Sequence, residues 1–313
     1  NKKNEKINWN TKDYTINCIE SIYKFTRKIE YEIIVVDNNS SDNSVIEIRK
    51  KFKDVIIIEN EVNVGFARAN NIAFRYCNSK YICLINSDVI LLNNAINILI
   101  ECLEKNTKIG VAVPKVFNGK MEIQPNCLEK PTMWTHLSQA FFLHKIFDNI
   151  SFIKESFVVN FNYNEVRSVD AVSGCFMIIR KKIVDTTKGF DEDFYFYGED
   201  LEWSKRIKEK GWVILFIPNA EIIHFGGVST SLESVRYLKK LYYSYFLYKK
   251  KQNESIYILF LIKIIHVINR IILYSVTSVT KIKSSEDRRK LRKQCKLLSY
   301  LIKFDIIREI KKI

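Results

Sequence analysis

Short apolar runs that each end in a cluster of oxygen-bearing side chains constrain this chain most. Residues 31–36 (YEIIVV) lead at once into Asp37-Asn38-Asn39-Ser40-Ser41-Asp42, and residues 81–85 (YICLI) into Asn86-Ser87-Asp88. A short apolar run without polar alternation suits a strand covered on both faces, as in a mostly parallel α/β sheet. Helical patterns lie between the runs. Ser41 or Asp42 can cap a helix ending at Lys51, with Val45, Ile48 and Phe52 at core spacing, and further helices are predicted over residues 66–77 and 94–104. Residues 55–58 and 175–179 read as additional strands, residues 199–210 as an amphipathic helix stopped by Gly211, and residues 213–217 as a strand ended by Pro218. Residues 114–168, with Pro114, Pro125 and Pro131, lose the rhythm and read as a long lid or an acceptor-facing insertion.

The chain has 313 residues, enough for one sizeable core and a second module, and a formal charge of +15 from 50 Lys and Arg against 35 Asp and Glu. Residues 1–235 hold 30 basic and 30 acidic side chains, whereas residues 236–313 hold 20 and 5. A neutral body with a cationic tail is not built around a nucleic-acid track, whose basic stripe runs across the folded domain, so no nucleic-acid partner is expected. The division predicts two regions, 1–235 and 236–313. Seven cysteines without close pairs suggest neither a zinc knuckle nor a disulfide framework, and the polar first ten residues lack the apolar stretch of a secretion signal, so the expected location is cytoplasmic.

Ligands of open parallel sheets bind beyond the carboxyl ends of the strands, which singles out four clusters. In the first, Asp42 reads as a helix cap, while Asp37, at a strand tip before any capping position, has no evident structural task and can accept hydrogen bonds from a nucleobase or ribose. In the second, Asn63-Val64-Gly65-Phe66 with Asn70 and Asn71 serves a turn or a ligand equally well. The third, Asn86-Ser87-Asp88, sets two oxygen-bearing side chains two residues apart, as suits a hard divalent cation. Asp191-Glu192-Asp193 and Gly198-Glu199-Asp200 form the fourth, where Glu199 and Asp200 either complement a helix dipole or supply a general base. His224, before Phe225-Gly226-Gly227, again follows an apolar stretch.

In their order and spacing these stretches resemble the family 2 glycosyltransferases, inverting enzymes with the GT-A fold, and especially their bacterial rhamnosyltransferase-like branch. The resemblance covers roughly residues 7–235 and rests on Ile7-Asn8-Trp9-Asn10-Thr11, Val35-Val36-Asp37-Asn38-Asn39-Ser40, Asn63-Val64-Gly65-Phe66-Ala67 with Asn71, Asn86-Ser87-Asp88, Val172-Ser173-Gly174, Gly189-Phe190-Asp191-Glu192 with Gly198-Glu199-Asp200, and His224-Phe225-Gly226-Gly227. It implies that Asn8, Asn10, Asp37, Asn39, Gly65, Phe66, Asn71, Asn86 and Ser87 line a nucleotide-sugar donor pocket, and that Ser173 and Gly174 face the acceptor. It also implies that Asp88, with His224, holds Mg2+ or Mn2+. Asp200 matches the family's catalytic base, with Glu199 the alternative. Members usually open on an apolar first strand, where residues 1–6 here read NKKNEK. Rhamnose from dTDP-rhamnose is the expected donor sugar, with a UDP-hexose or UDP-N-acetylhexosamine as alternatives, and a growing lipid-linked glycan of a bacterial surface polysaccharide the expected acceptor.

In the tail, residues 233–250 read as a helix, and residues 256–274 are apolar but carry Lys263, His266 and Arg270 on one helical face. These charges suit a helix lying in a membrane interface better than one crossing it, and residues 284–296 add a polybasic run for an anionic leaflet. Attachment to the inner face of the plasma membrane is therefore expected, the alternatives being packing on the body or on a second copy of the chain and, from another class, a nucleic-acid-binding protein that uses the basic tail, disfavoured because aromatic stacking platforms and base-reading motifs are not evident there.

Overall fold

The computed structural model describes the backbone from residue 2 and side chains from residue 8 through residue 128, then residues 161–195 and 197–226, and part of 243–303. The chain divides into two units, residues 1–129 with 161–230 and residues 130–160 with 231–313. Residues 129–160, and His266, Arg270 and residues 284–294 of the expected tail, lie outside the described residues.

The first unit runs β1 (Lys2–Asn8), α1 (Lys12–Phe25), β2 (Tyr31–Asp37), α2 (Ser44–Lys51), β3 (Ile56–Glu59), α3 (Phe66–Arg75), β4 (Tyr81–Asn86), β5 (Val89–Leu91), α4 (Ala95–Lys105) and β6 (Ile109–Phe117). It continues with β7 (Cys127–Leu128), β8 (Arg167–Ser168), β9 (Ala171–Val172), β10 (Phe176–Arg180), α5 (Lys181–Thr187), α6 (Glu199–Glu209) and β11 (Val213–His224). The main sheet has the order β3-β2-β1-β4-β10-β6-β11-β5, with β8 added on β11. β3, β2, β1, β4, β6 and β11 run one way, while β10, β5 and β8 run the other. The fold is thus the expected GT-A type, a mostly parallel sheet with flanking helices. The polar opening residues do form a strand, and it sits centrally, paired with β2 from Lys2 to Asn8 and with β4 from Lys3 to Ile7.

Alternation along the strands sorts the core into two layers, because successive side chains point to opposite faces. Ile33, Val35, Cys83 and Ile85 join Cys18, Ile19 and Ile22 of α1 and Leu99 and Leu103 of α4. Ile34, Val36, Ile82 and Leu84 face Ala67 and Phe74 of α3 and Trp203 and Ile207 of α6. α1 was not apparent as a helix in the sequence, although Cys18, Ile19 and Ile22 bury one of its stripes.

β11 does not stop at Pro218. It shifts register against β6 between Ile217 and Glu221 and continues to His224. A proline lacks the N–H for a ladder bond, and in the register shift that follows it a side chain pairs with backbone groups of the strand. Asn93 donates from Nδ2 to the Asn219 carbonyl at 2.9 Å, and its Oδ1 accepts the Glu221 N–H at 3.2 Å. The continuation matters because it carries His224 to the edge where β1, β2 and β4 end.

Candidate active site

At the tips of β1 and β2, Asn8 is fully buried and organises both strand ends. Its Oδ1 accepts the Thr11 and Thr15 hydroxyls at 2.8 and 2.9 Å, and its Nδ2 lies 2.6 Å from Asp37 Oδ1 and 2.7 Å from Ser44 Oγ. Asp37 Oδ2 accepts the Ser40 N–H at 2.8 Å. Asp37 therefore has a structural task that its position in sequence did not reveal, since it locks the loop after β2 while keeping lone pairs on both oxygens. Asn10, at φ 51°, donates its N–H to Ser40 Oγ at 3.0 Å and accepts the Ser41 N–H at 2.8 Å, which ties the loop after β1 to the loop after β2. Asn39 is exposed at φ 63° on that second loop.

Asp42 caps two helices at once. Its Oδ2 accepts the N–H of Lys12, first residue of α1, at 2.9 Å, and its Oδ1 accepts the N–H of Ser44, first residue of α2, at 3.1 Å, together with the Ser44 hydroxyl. Partial burial works against the charge, but the hydrogen bonds from Ser44 and the Lys12 N–H outweigh it and hold the carboxyl below the usual range. The residue immediately before α2 is Asn43, in a left-handed conformation without a side-chain cap bond, so the cap is made by Asp42 from one residue further out.

At the end of β4, Ser87 Oγ lies 2.9 Å from Thr11 Oγ1, which joins this cluster to the first. Asp88 Oδ1 lies 3.3 Å from His224 Nε2, and both side chains are nearly buried. The Asn86 amide lies 3.4 Å from the same ring nitrogen. The Phe225 N–H donates to the Asp88 carbonyl at 3.0 Å, which fixes the two strand ends to each other. Among the described residues no three of His, Cys, Asp and Glu converge on one point. Asp88 and His224 are a pair, a donor set that fits a divalent cation taking its other ligands from a diphosphate.

The third cluster is built on α6. Tyr197 and Gly198 both have positive φ, 67° and 89°, and this turn aims the first helical residues at β10. Asp200 Oδ2 accepts the Gly174 N–H at 3.2 Å and Oδ1 accepts the Leu201 N–H at 2.9 Å. Glu199 Oε2 is buried without a hydrogen-bond partner. Burial, then the neighbouring Asp200, pushes the Glu199 carboxyl well up; burial also raises Asp200, but the N–H bonds of Gly174 and Leu201 oppose the rise. Burial thus acts on both carboxyls, and the opposing N–H bonds from Gly174 and Leu201 are made to Asp200 alone. Cys175, between the two clusters, donates no charge of its own, since burial pushes its thiol up to about 12, while its carbonyl accepts the Asn86 N–H at 2.9 Å.

Gly65 and Phe66 wall this cluster. Gly65, at φ 85°, sits so close to Tyr195 that a Cβ would meet its carbonyl oxygen at 2.8 Å, and the Phe66 ring would lie 3.3 Å from a Cβ on Gly174. Ser173 donates its N–H to the Asn126 carbonyl at 2.8 Å. Asn71 differs from the expectation of a donor ligand. Its two amide hydrogens go to the Phe190 carbonyl and Glu192 Oε1, at 2.8 and 3.0 Å, and its oxygen accepts the Phe190 N–H at 2.9 Å, so it staples the turn before α6.

The structure thus gathers Asn8, Asn10, Asp37, Ser87, Asn86, Asp88 and His224 into connected strand-end clusters and sets Gly65, Phe66, Ser173, Gly174, Glu199 and Asp200 beside them. Thr11 and Ser40 stood inside the quoted motifs without a role of their own, and Thr15 and Gln124 stood outside them. Thr15 went unseen because the helix that carries it, α1, was not apparent in the sequence. Gln124 lies where the α/β rhythm is lost and carried no signal.

The family model for glycosyl transferase family 2 matches residues 7–186, more than half of the chain, which therefore belongs to that family. The chain is similar to N-acetylglucosaminyl-diphospho-decaprenol L-rhamnosyltransferase of Mycobacterium tuberculosis, 20% identical over 220 residues that cover 66% of this chain and 70% of the relative. Among solved structures it is similar to the mannosyltransferase PcManGT of Pyrobaculum calidifontis in complex with GDP-Man and Mn2+, at TM-score 0.58 and 11% identity over 96% of this chain and 86% of that one. It is also similar to GalNAc-T7 with UDP, GalNAc and Mn2+, at TM-score 0.54 and 16% identity over 79% of this chain, and spans about half (49%) of that chain.

Proposed function

We propose that this glycosyltransferase is a metal-dependent inverting enzyme that moves a sugar, rhamnose from dTDP-rhamnose, to a hydroxyl of a growing lipid-linked bacterial glycan. The observation that carries the reading is the pairing, on one sheet edge, of the Asp88–His224 couple with the Glu199–Asp200 couple, linked through Gly174 and Cys175. The rhamnosyltransferase similarity supports the donor sugar. UDP-linked hexoses and N-acetylhexosamines are the alternatives within the same chemistry.

Asp37 and Asn8, locked by the hydrogen bonds described, present the donor's nucleoside side, and Asp88 with His224 would hold Mg2+ or Mn2+. When bound, that ion neutralises charge on a departing diphosphate. Asp200, held by the Gly174 and Leu201 N–H groups, takes the acceptor hydroxyl's proton as that oxygen bonds to the anomeric carbon. The bond from that carbon to the diphosphate breaks, and the nucleoside diphosphate leaves with the electron pair. Glu199, whose carboxyl burial and then the neighbouring Asp200 push well up, stands directly beside that base.

The tail supplies the membrane side of the proposal. Tyr257, Leu261, Ile264, Ile268 and Ile271 are 82, 47, 52, 38 and 45% exposed and follow one another at three- and four-residue steps, as along one helical face. Among the described residues no helix is long and apolar enough to cross a membrane. An exposed apolar stripe in a region of 20 basic and 5 acidic residues supports an interfacial helix on an anionic leaflet.

A thermal-shift panel of nucleotide sugars, each with Mn2+ and with EDTA, tests the reading. The expected result is a Mn2+-dependent rise with dTDP-rhamnose that Asp88→Ala abolishes. Equal shifts with and without chelator, or no response to any nucleotide sugar, would overturn it.

A further inference from the structure

The Gln124 side chain is held against the far nitrogen of the His224 ring. Its Nε2 lies 3.1 Å from His224 Nδ1, while its Oε1 is buried with no hydrogen-bond partner. The backbone fixes this placement, because the Gln124 N–H donates to the Val116 carbonyl at 2.8 Å and Ile123 bridges Phe117 at the end of β6. Gly226 stands on the other side, where a Cβ would come within 3.6 Å of Gln124 Nε2 and 3.8 Å of the His224 ring.

This contact decides what His224 can offer to Asp88. An amide nitrogen only donates, so in the arrangement described His224 Nδ1 accepts, and the ring carries its proton on Nε2, facing Asp88 Oδ1 at 3.3 Å. A half-turn of the Gln124 amide exchanges its two ends. Oε1 then accepts a hydrogen bond from the Nδ1 proton, the Gln124 nitrogen takes the buried position that Oε1 left, and the Nε2 lone pair of His224 is left facing the Asp88 carboxylate. Two acceptors 3.3 Å apart repel unless a cation lies between them. Asn86 Nδ2, 3.4 Å from Nε2, donates well only to this second tautomer.

We propose that Gln124 is a positioning residue that selects the His224 tautomer. In one orientation it supports a proton bridge between His224 and Asp88, and in the other it frees Nε2 to join Asp88 around a divalent cation. The inference rests on the assignment of Asp88 and His224 as the cation pair. Outer partners that orient a ligating imidazole typically contribute about 10- to 100-fold in metal affinity.

The test measures Mn2+ affinity by electron paramagnetic resonance in the presence of dTDP, and in parallel of UDP, on the full chain, for wild type, Gln124→Leu and Gln124→Glu. Leu fills the space without hydrogen bonding, whereas Glu can accept from Nδ1 and cannot donate to it. The proposal expects Mn2+ about 10- to 100-fold weaker in Gln124→Leu and wild-type affinity or tighter in Gln124→Glu. It also expects nitrogen-15 spectra of wild type to move the His224 proton from Nε2 to Nδ1 when Mg2+ is added with whichever of dTDP and UDP supports Mn2+ binding. Unchanged affinity in Gln124→Leu, equal losses in both variants, or a proton that stays on Nε2 with Mg2+ bound would each overturn it. Absence of Mn2+ binding by wild type would instead sink the assignment of Asp88 and His224 on which it rests.

Discussion

Replacing Asp42 by Ala should destabilise the first unit more than an ordinary surface substitution, because one carboxylate caps two helices. Loss of a side-chain cap costs typically about 1 kcal/mol. Asp42→Ala removes the acceptors of the Lys12 and Ser44 N–H groups together, so about 2 kcal/mol is expected. In a domain of this size 1 kcal/mol moves the melting temperature by about 2–4 °C, which predicts a fall of about 4–8 °C at pH 7. The pH dependence has a definite sign. The folded carboxyl titrates below its unfolded value, so its stabilisation is present above about pH 4 and is lost as pH falls through the lower folded value. The gap between wild type and variant should therefore close toward pH 3. Differential scanning calorimetry from pH 7 to pH 3 reads both effects. A variant melting within 1 °C of wild type at pH 7, or a gap that does not narrow as pH falls below 4, would refute the double-cap account.

Three further outcomes follow from the same geometry. Gly189→Ala and Gly211→Ala both place a side chain at positive φ, 71° and 82°, at about 1–2 kcal/mol each. Only at Gly189 does the new Cβ meet Asn71 Oδ1, at 2.4 Å, so urea unfolding should show an added loss of about 1 kcal/mol there, and equal losses would contradict the staple. Glu199→Gln should stabilise the protein at neutral pH. A carboxyl whose folded pKa is raised favours folding below its unfolded value and loses that contribution as pH rises, so the variant's advantage should grow as pH rises above 4, and a constant difference would count against the upward shift of the Glu199 carboxyl. Removal of residues 251–313 should abolish co-flotation with anionic liposomes, and undiminished flotation would dismiss the interfacial helix.

Much of the first unit was legible because short apolar runs leave few alternatives. Residues 81–86 form the strand expected there, and helices begin within one residue of the expected starts at Phe66, Ala95 and Glu199. What the sequence concealed depends on contacts distant along the chain. Nothing near Pro218 announces that Asn93, more than a hundred residues earlier, pairs with Asn219 and Glu221 where the register shifts. The polar first strand is specified by its neighbours β2 and β4 rather than by its own pattern. In the site, the strand-end residues were legible by position, but their division of labour was not. Asp37 and Asn71 both looked like ligands, and Asn71 proves to be a staple whose partners are Phe190 and Glu192.

The central claim is that Asp200 is the base of a sugar transfer. Asn at this position keeps the shape and one acceptor but cannot take the acceptor's proton. The most direct measurement is transfer of a radiolabelled sugar from its nucleotide donor, with Mn2+, by wild type and Asp200→Asn. Loss of a positioned general base predicts turnover lower by about 10²- to 10⁴-fold, with Mn2+-dependent donor binding retained. Transfer at the wild-type rate by Asp200→Asn would contradict the account.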